Sequence, residues 1–316
     1  MKRLFSILVS ALLLVSCGQG GFDPLKVNID RALKHPASAR DVYSEAVAIP
    51  LHGPEGVTFE MTAPALLDVA ADRFFLLDAG KNEILVFDWN GEYVTAIASA
   101  ETILDFSVYQ DETLEVLTQD AITDYSVKDG SFLAEHPIEN KGVALKCLGR
   151  VDEDSFFILG SKDGLAYSGG YIVGKLGFYS DALPAADYLT TRRYVPDSEV
   201  EHSRFFRCGG TIYSFLSRSG QIDKYEGNDF ACVPYQWDFG KRQPIFTNVQ
   251  KTVDRLYLAF ELEGECAVLI YNLKNKQYKA VPQFDFPLGV IYDGCNYYCQ
   301  PAAVPGEYTV LRHELL

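Results

Sequence analysis

From Val42 onward the chain alternates between apolar or aromatic runs of four to eight residues and short polar breaks of Asp, Gly, Asn and Lys. Arg73-Phe74-Phe75-Leu76-Leu77-Asp78, Glu83-Ile84-Leu85-Val86-Phe87-Asp88 and Glu92-Tyr93-Val94-Thr95-Ala96-Ile97 are three in succession. Runs of this length between turn formers predict strands joined as hairpins. No stretch beyond the first forty residues holds a helical period over ten positions, which removes doubly wound, helix-wrapped barrel and bundle folds. Upstream, Asn28-Ile29-Asp30-Arg31-Ala32-Leu33-Lys34 predicts one or two helical turns that Pro36 stops.

The pattern repeats. Leu67-Asp68-Val69, Leu104-Asp105-Phe106, Leu145-Lys146-Cys147, Phe206-Arg207-Cys208, Thr247-Asn248-Val249 and Leu288-Gly289-Val290 each open a unit, and their middle residues lie 37, 41, 61, 41 and 41 positions apart. A period near 41 with four strands per unit predicts an all-β, six-bladed β-propeller of four-stranded antiparallel blades. The long interval predicts an insertion of about twenty residues in the third unit. The last unit has room for three strands, roughly Pro287 to Tyr292, Cys295 to Gln300 and Tyr308 to Glu314. The spare strand within Val42–Leu51 is expected to pair beside the last one and close the ring, which removes an exposed sheet edge.

The N-terminus carries a separate signal. Met1-Lys2-Arg3 is a positive leader, and Leu4–Val15 is apolar but too short to span a hydrocarbon core of about 30 Å. Leu14-Val15-Ser16-Cys17, followed by Gly18, resembles the lipobox of bacterial lipoproteins. That resemblance implies a signal peptide at 1–16, a mature chain starting at a lipidated Cys17, and a membrane anchor there. Residues 17–41 then read as a tether with a short helix, and 42–316 as the propeller. Ala46-Val47-Ala48-Ile49-Pro50-Leu51 after the helical segment, Phe75-Leu76-Leu77-Asp78, and Val86-Phe87-Asp88-Trp89-Asn90-Gly91-Glu92-Tyr93-Val94 together resemble six-bladed β-propeller lipoproteins of Gram-negative bacteria, relatives of NHL-type propellers. That family often has a Gly-rich turn after the first blade, where this chain has Ala98-Ser99-Ala100-Glu101-Thr102. Gly18-Gln19-Gly20-Gly21-Phe22-Asp23 lacks the acidic run common in surface-exported lipoproteins, so the resemblance implies an outer-membrane protein facing the periplasm.

Composition narrows the partners. The 316 residues are 48% hydrophobic and 22% charged, enough for a sizeable core, and 19 Tyr with 20 Phe suit pleated sheets. The formal charge of −15 argues against nucleic acid, and no basic patch opposes it. Beyond Cys17 there are six cysteines in a compartment that allows disulfides. Cys295 and Cys299 are not expected to pair, because the three strand residues between them set their α-carbons about 13 Å apart.

On a propeller the first strands line the central channel, so Asp68, Asp105, Lys146, Arg207 and Asn248 form a candidate channel-mouth site, with Gly289 completing the circle. Two acids and two bases suit a sugar or a peptide end, or else pair with one another and seal the channel. The second candidate is the inserted segment, where Tyr171, Tyr188, Arg192, Arg193 and Tyr194 combine aromatic faces with guanidinium groups. No nucleophile elbow, phosphate loop, dinucleotide fingerprint or zinc-helix motif occurs, and the five histidines share no repeat position. No cofactor or metal is expected, and a monomer is. Two functions follow: a lipid-anchored envelope module that binds a protein partner or glycan, or a polysaccharide hydrolase or lyase using Asp68 and Asp105.

Overall fold

The computed structural model describes residues 25–54, 60–138, 140, 142–152, 155–172, 175–177, 203–208, 211–216, 220–226, 229–233, 235–282 and 287–316. Its first elements are β1 (Leu25–Asn28), a six-residue helix α1 (Ile29–Lys34) and β2 (Val47–Pro50). Asn28 starts the helix by accepting the Arg31 N–H on its side chain at 2.8 Å.

Six four-stranded sheets follow. The first is β3 (Pro64–Ala70), β4 (Arg73–Asp78), β5 (Glu83–Asp88) and β6 (Tyr93–Ala98); the second is β7 (Asp105–Tyr109), β8 (Thr113–Leu117), β9 (Ala121–Ser126) and β10 (Phe132–Pro137). The third is β11 (Ala144–Asp152), β12 (Ser155–Lys162), β13 (Leu165–Ile172) and β14 (Lys175–Gly177); the fourth is β15 (Arg204–Cys208), β16 (Thr211–Leu216), β17 (Gln221–Glu226) and β18 (Asp229–Val233). After β19 (Tyr235–Asp238), the fifth is β20 (Ile245–Lys251), β21 (Arg255–Leu262), β22 (Glu265–Asn272) and β23 (Tyr278–Pro282). The sixth holds β24 (Val290–Tyr292), β25 (Cys295–Pro301) and β26 (Tyr308–Glu314), with β2 antiparallel on the outer side of β26.

Local sequence explains the hairpins. Asp163-Gly164, Glu263-Gly264 and Asp293-Gly294 each fill a two-residue turn with both φ angles positive, the backbone that matches strand twist. The central strands are apolar on both faces because each sheet is sandwiched. Phe75 and Leu77 of β4 enter the core shared with the second sheet, while Phe74 and Leu76 enter the core shared with the sixth. Each such side chain stabilises the fold by up to about 3 kcal/mol. Edge strands are thinner in apolar residues: β10 is exposed or half-buried throughout.

The first strands meet one another in turn: β3 packs on β7, β7 on β11, β11 on β15, β15 on β20, β20 on β24, and β24 on β3. The segment read as a tether is packed from Leu25 onward. β1 pairs in parallel with β19, and Val27, Ile29 and Ala32 are buried with Phe215, Phe246 and Phe260 of the fourth and fifth sheets. Asp30 is paired with Arg242. Among the described residues no helix is long and apolar enough to cross a membrane.

Candidate functional site

The first strands turn a set of polar side chains toward one another. Asp68, on β3, accepts the N–H of its neighbour Val69 at 2.8 Å on one oxygen and the N–H of Val108, on β7, at 3.3 Å on the other. Asp105 repeats the device one sheet further on. It accepts the N–H of Leu148, on β11, at 2.8 Å, together with that of its neighbour Phe106. Asn248, on β20, accepts the Val249 N–H at 2.8 Å, and its amide donates to the carbonyls of Leu288 and Gly289 at 2.8 and 3.1 Å. Each side chain therefore holds its own strand and the next one together.

The two cationic positions expected from the repeat are occupied differently. Lys146 is exposed, because β11 carries a register shift between Leu145 and Cys147 against Gly160 and Leu159. One extra residue turns the neighbouring side chain to the other face, so Cys147 is the buried one. The Cys147 sulfur is bonded by the N–H of Phe205 on β15. On the fourth sheet it is Arg204 that joins the set, donating from Nη1 to the Asn248 side-chain oxygen at 2.5 Å. Arg207 pairs through its backbone with Ile212, and its side chain lies outside the described residues.

The set is electrostatically tight. Burial pushes the Asp68 carboxyl up to about 6 and the Asp105 carboxyl up to about 7, against the pull of the main-chain N–H groups and of Arg204. Burial also draws the Arg204 guanidinium below its ordinary value, while Asp105 and Asp68 act to keep its proton on. The Cys147 thiol is pushed well up by burial and by Asp105, so it stays a thiol. Chemically, the arrangement is a half-buried chain of donors and acceptors centred on one guanidinium.

Of the other sequence candidates, Tyr171 lies on β13 opposite Phe156 in backbone register, with its side chain outside the described residues. Cys17, Tyr188, Arg192, Arg193 and Tyr194 lie outside the described residues as well. Cys295 and Cys299 are free thiols, as are Cys147, Cys208 and Cys266. No described group of three or more His, Cys, Asp or Glu residues is placed to hold a metal ion.

Sequence reading missed a second polar cluster, between the second and third sheets. Glu115 and Asp124 are opposite each other on β8 and β9, and Glu115 is fully buried. Arg150 of β11 reaches both, Glu115 at 2.5 Å and Asp124 at 3.6 Å, with its guanidinium 4.5 Å from the centre of the Tyr109 ring. His136 contacts Asp124 at 3.1 Å. Burial pushes Glu115 up to about 7, and Arg150 opposes this. The available signal was an acid in the middle of each apolar strand, in Leu114-Glu115-Val116 and Ile122-Thr123-Asp124-Tyr125.

No protein-family model and no curated protein sequence matches the chain. Solved structures do. A Bacteroides fragilis protein described as exported superposes with a TM-score of 0.66 at 10% identity, covering 89% of this chain and 97% of its own. A member of the DUF4221 family from Bacteroides vulgatus gives 0.57 at 9% identity, covering 87% and 98%. Virginiamycin B lyase from Staphylococcus aureus gives 0.54 at 12% identity, covering 86% and 100%. At these identities the likeness is one of fold: the chain is an all-β protein of the propeller type.

Proposed function

We propose that this chain is an exported, lipid-anchored propeller of six blades, closed by β2, that works as a binding or scaffold module in the cell envelope. The observation that carries the reading is how the inner carboxylates are spent. Both oxygens of Asp68 accept main-chain N–H groups, one from the next sheet, and Asp105 is tied in the same way to Leu148. Glycoside cleavage needs one carboxyl free to meet the leaving oxygen and another free to face the sugar carbon. Side chains that hold neighbouring strands together serve the scaffold, leaving recognition to the loops around it.

Six sheets whose first strands touch in sequence, with β24 against β3, support the ring, and the pairing of β2 with β26 supports its closure. The anchor is Cys17, and the periplasmic face of the outer membrane is its place. The partner is an envelope protein or a glycan, met by the segment containing Tyr171, Tyr188, Arg192, Arg193 and Tyr194, whose sequence combines aromatic and arginine residues. A charge of −15 disfavours nucleic acid.

One observation favours the alternative, a polysaccharide hydrolase or lyase. With its carboxyl near 7, Asp105 holds a proton close to neutrality, as a general acid must. The deciding experiment immobilises the mature chain with Cys17 replaced by Ser and offers it solubilised envelope proteins and defined polysaccharide fragments. A partner retained intact supports the module. A glycan shortened by the wild type and left whole by Asp105→Asn overturns it in favour of the enzyme.

A further inference from the structure

A cleft of about 380 Å³ opens at the outer rim of the fifth sheet, where Val42 and Leu316 lie over it. Its size falls within the range of about 300 to 1,000 Å³ typical of small-molecule sites. Strand register explains the lining. Arg255 is opposite Asn272, and Ile270 is opposite Lys279, so the four occupy adjoining cross-strand pairs on β21, β22 and β23. Val42 and Ile270 are buried and supply an apolar surface.

The hydrogen-bonding capacity of the lining is one-sided. The Asn272 side-chain oxygen is taken by the N–H groups of Lys274 and Asn275 at 2.9 and 3.1 Å. The Asn275 oxygen accepts the Gln277 N–H at 3.0 Å, and the Gln277 oxygen accepts the Asn275 amide at 3.4 Å. The acceptors of the turn are thus spent within it. What the lining retains is donors: the amides of Asn272 and Gln277, the ammonium of Lys279, and the Arg255 N–H groups beyond those given to the terminal oxygen of Leu316 and to the Tyr257 hydroxyl. No Asp or Glu lines the cleft, in a chain with 43 of them and a net charge of −15.

We propose that this cleft binds a small organic acid of monosaccharide size. Its carboxylate is held by Lys279 through a charge-assisted hydrogen bond, beside an Arg255 already engaged by Leu316 and Tyr257. Its hydroxyl oxygens accept from Asn272 and Gln277, and its less polar face lies on Val42 and Ile270. The site is separate from the inner ring, so it stands or falls independently of the role assigned there.

The test is calorimetric titration of the full-length chain in detergent with glucuronate, glucose and inorganic phosphate as probes. Glucuronate should bind saturably, with glucose and phosphate each at least about tenfold weaker, because one lacks the charge and the other the body of the sugar. Lys279→Glu should weaken glucuronate by at least about tenfold while leaving the melting temperature in place. Gln277→Leu should weaken it by roughly threefold to tenfold through the lost donor. No saturable heat up to about 10 mM glucuronate, equal binding of glucose or phosphate, or indifference to Lys279→Glu in a folded variant each overturns the proposal.

Discussion

Asp105 on the second sheet accepts the main-chain N–H of Leu148 on the third at 2.8 Å, so a titratable side chain serves as the fastening between two sheets. Its value near 7 lies above the ordinary carboxyl value of 3.8. Between those values the folded chain holds a proton that the unfolded chain has released. The stability from this group is therefore complete below about pH 4 and lost as the pH rises through 7, and Asp68, near 6, acts in the same direction.

Asp105→Asn fixes the neutral form and keeps an acceptor for Leu148. The variant should melt higher than the wild type at pH 8 and close to it only below about pH 4. Thermal melts in the two ranges check this, and an unchanged pH dependence would remove Asp105 as its source.

Arg204 is the cation that Asp68 and Asp105 share. Arg204→Met should cost about 1 to 3 kcal/mol at pH 8, because it leaves two half-buried carboxylates uncompensated. Adding Asp68→Asn and Asp105→Asn should restore part of the loss, measured as the urea midpoint of the single and triple variants.

Between the second and third sheets, Arg150 faces a Glu115 that is fully buried. Arg150→Met should destabilise by about 3 to 5 kcal/mol at pH 8, and by less at pH 5, where Glu115 takes up a proton. A double-mutant cycle with Glu115→Gln should show strong coupling, whereas additive effects would mean that the contact contributes little.

Gly264 occupies a turn at φ +84° with open space where a side chain would go. Gly264→Ala therefore meets no clash and should cost only the backbone term, about 1 kcal/mol, read as a lower denaturation midpoint.

Thiol reactivity offers a simple map of burial. Cys266 is exposed, Cys147 is buried, and burial pushes the Cys299 thiol up to about 12. Among these three, maleimide should label Cys266 fastest in the native chain, half-buried Cys299 more slowly, and Cys147 only in denaturant. Fast native labelling of Cys147 would mean that the inner ring opens.

The strands and the repeat were legible because sandwiched sheets demand apolar runs, as in Phe74–Leu77 and Ile84–Phe87, and because polar turn formers separate them. The spare strand was legible from arithmetic, since three strands near the end left one partner wanting. The inner ring was half legible. Asp68, Asp105 and Asn248 share a repeat position and a bonding role. Cys147 took the place expected of Lys146, because a bulge in β11 moves side chains across the sheet without leaving a mark in composition, and Arg204 joined the set from a position the repeat did not single out. The pairing of β1 with β19 spans some two hundred residues and rests on backbone bonds that any sequence can make. The Glu115–Arg150 contact joins two sheets whose relative rotation no strand pattern encodes.

β2 lies beside β26, and Tyr43 bridges to Leu315, so one of the six sheets draws its strands from opposite ends of the chain. This places a kinetic condition on the molecule. The early strand has no partner until about 260 further residues have been made, and contacts of such long range form late and slowly. Before that moment the unpartnered edges of β2 and β25 are open to other chains, so the interval before docking of the last strand is the period of greatest exposure to aggregation and proteolysis.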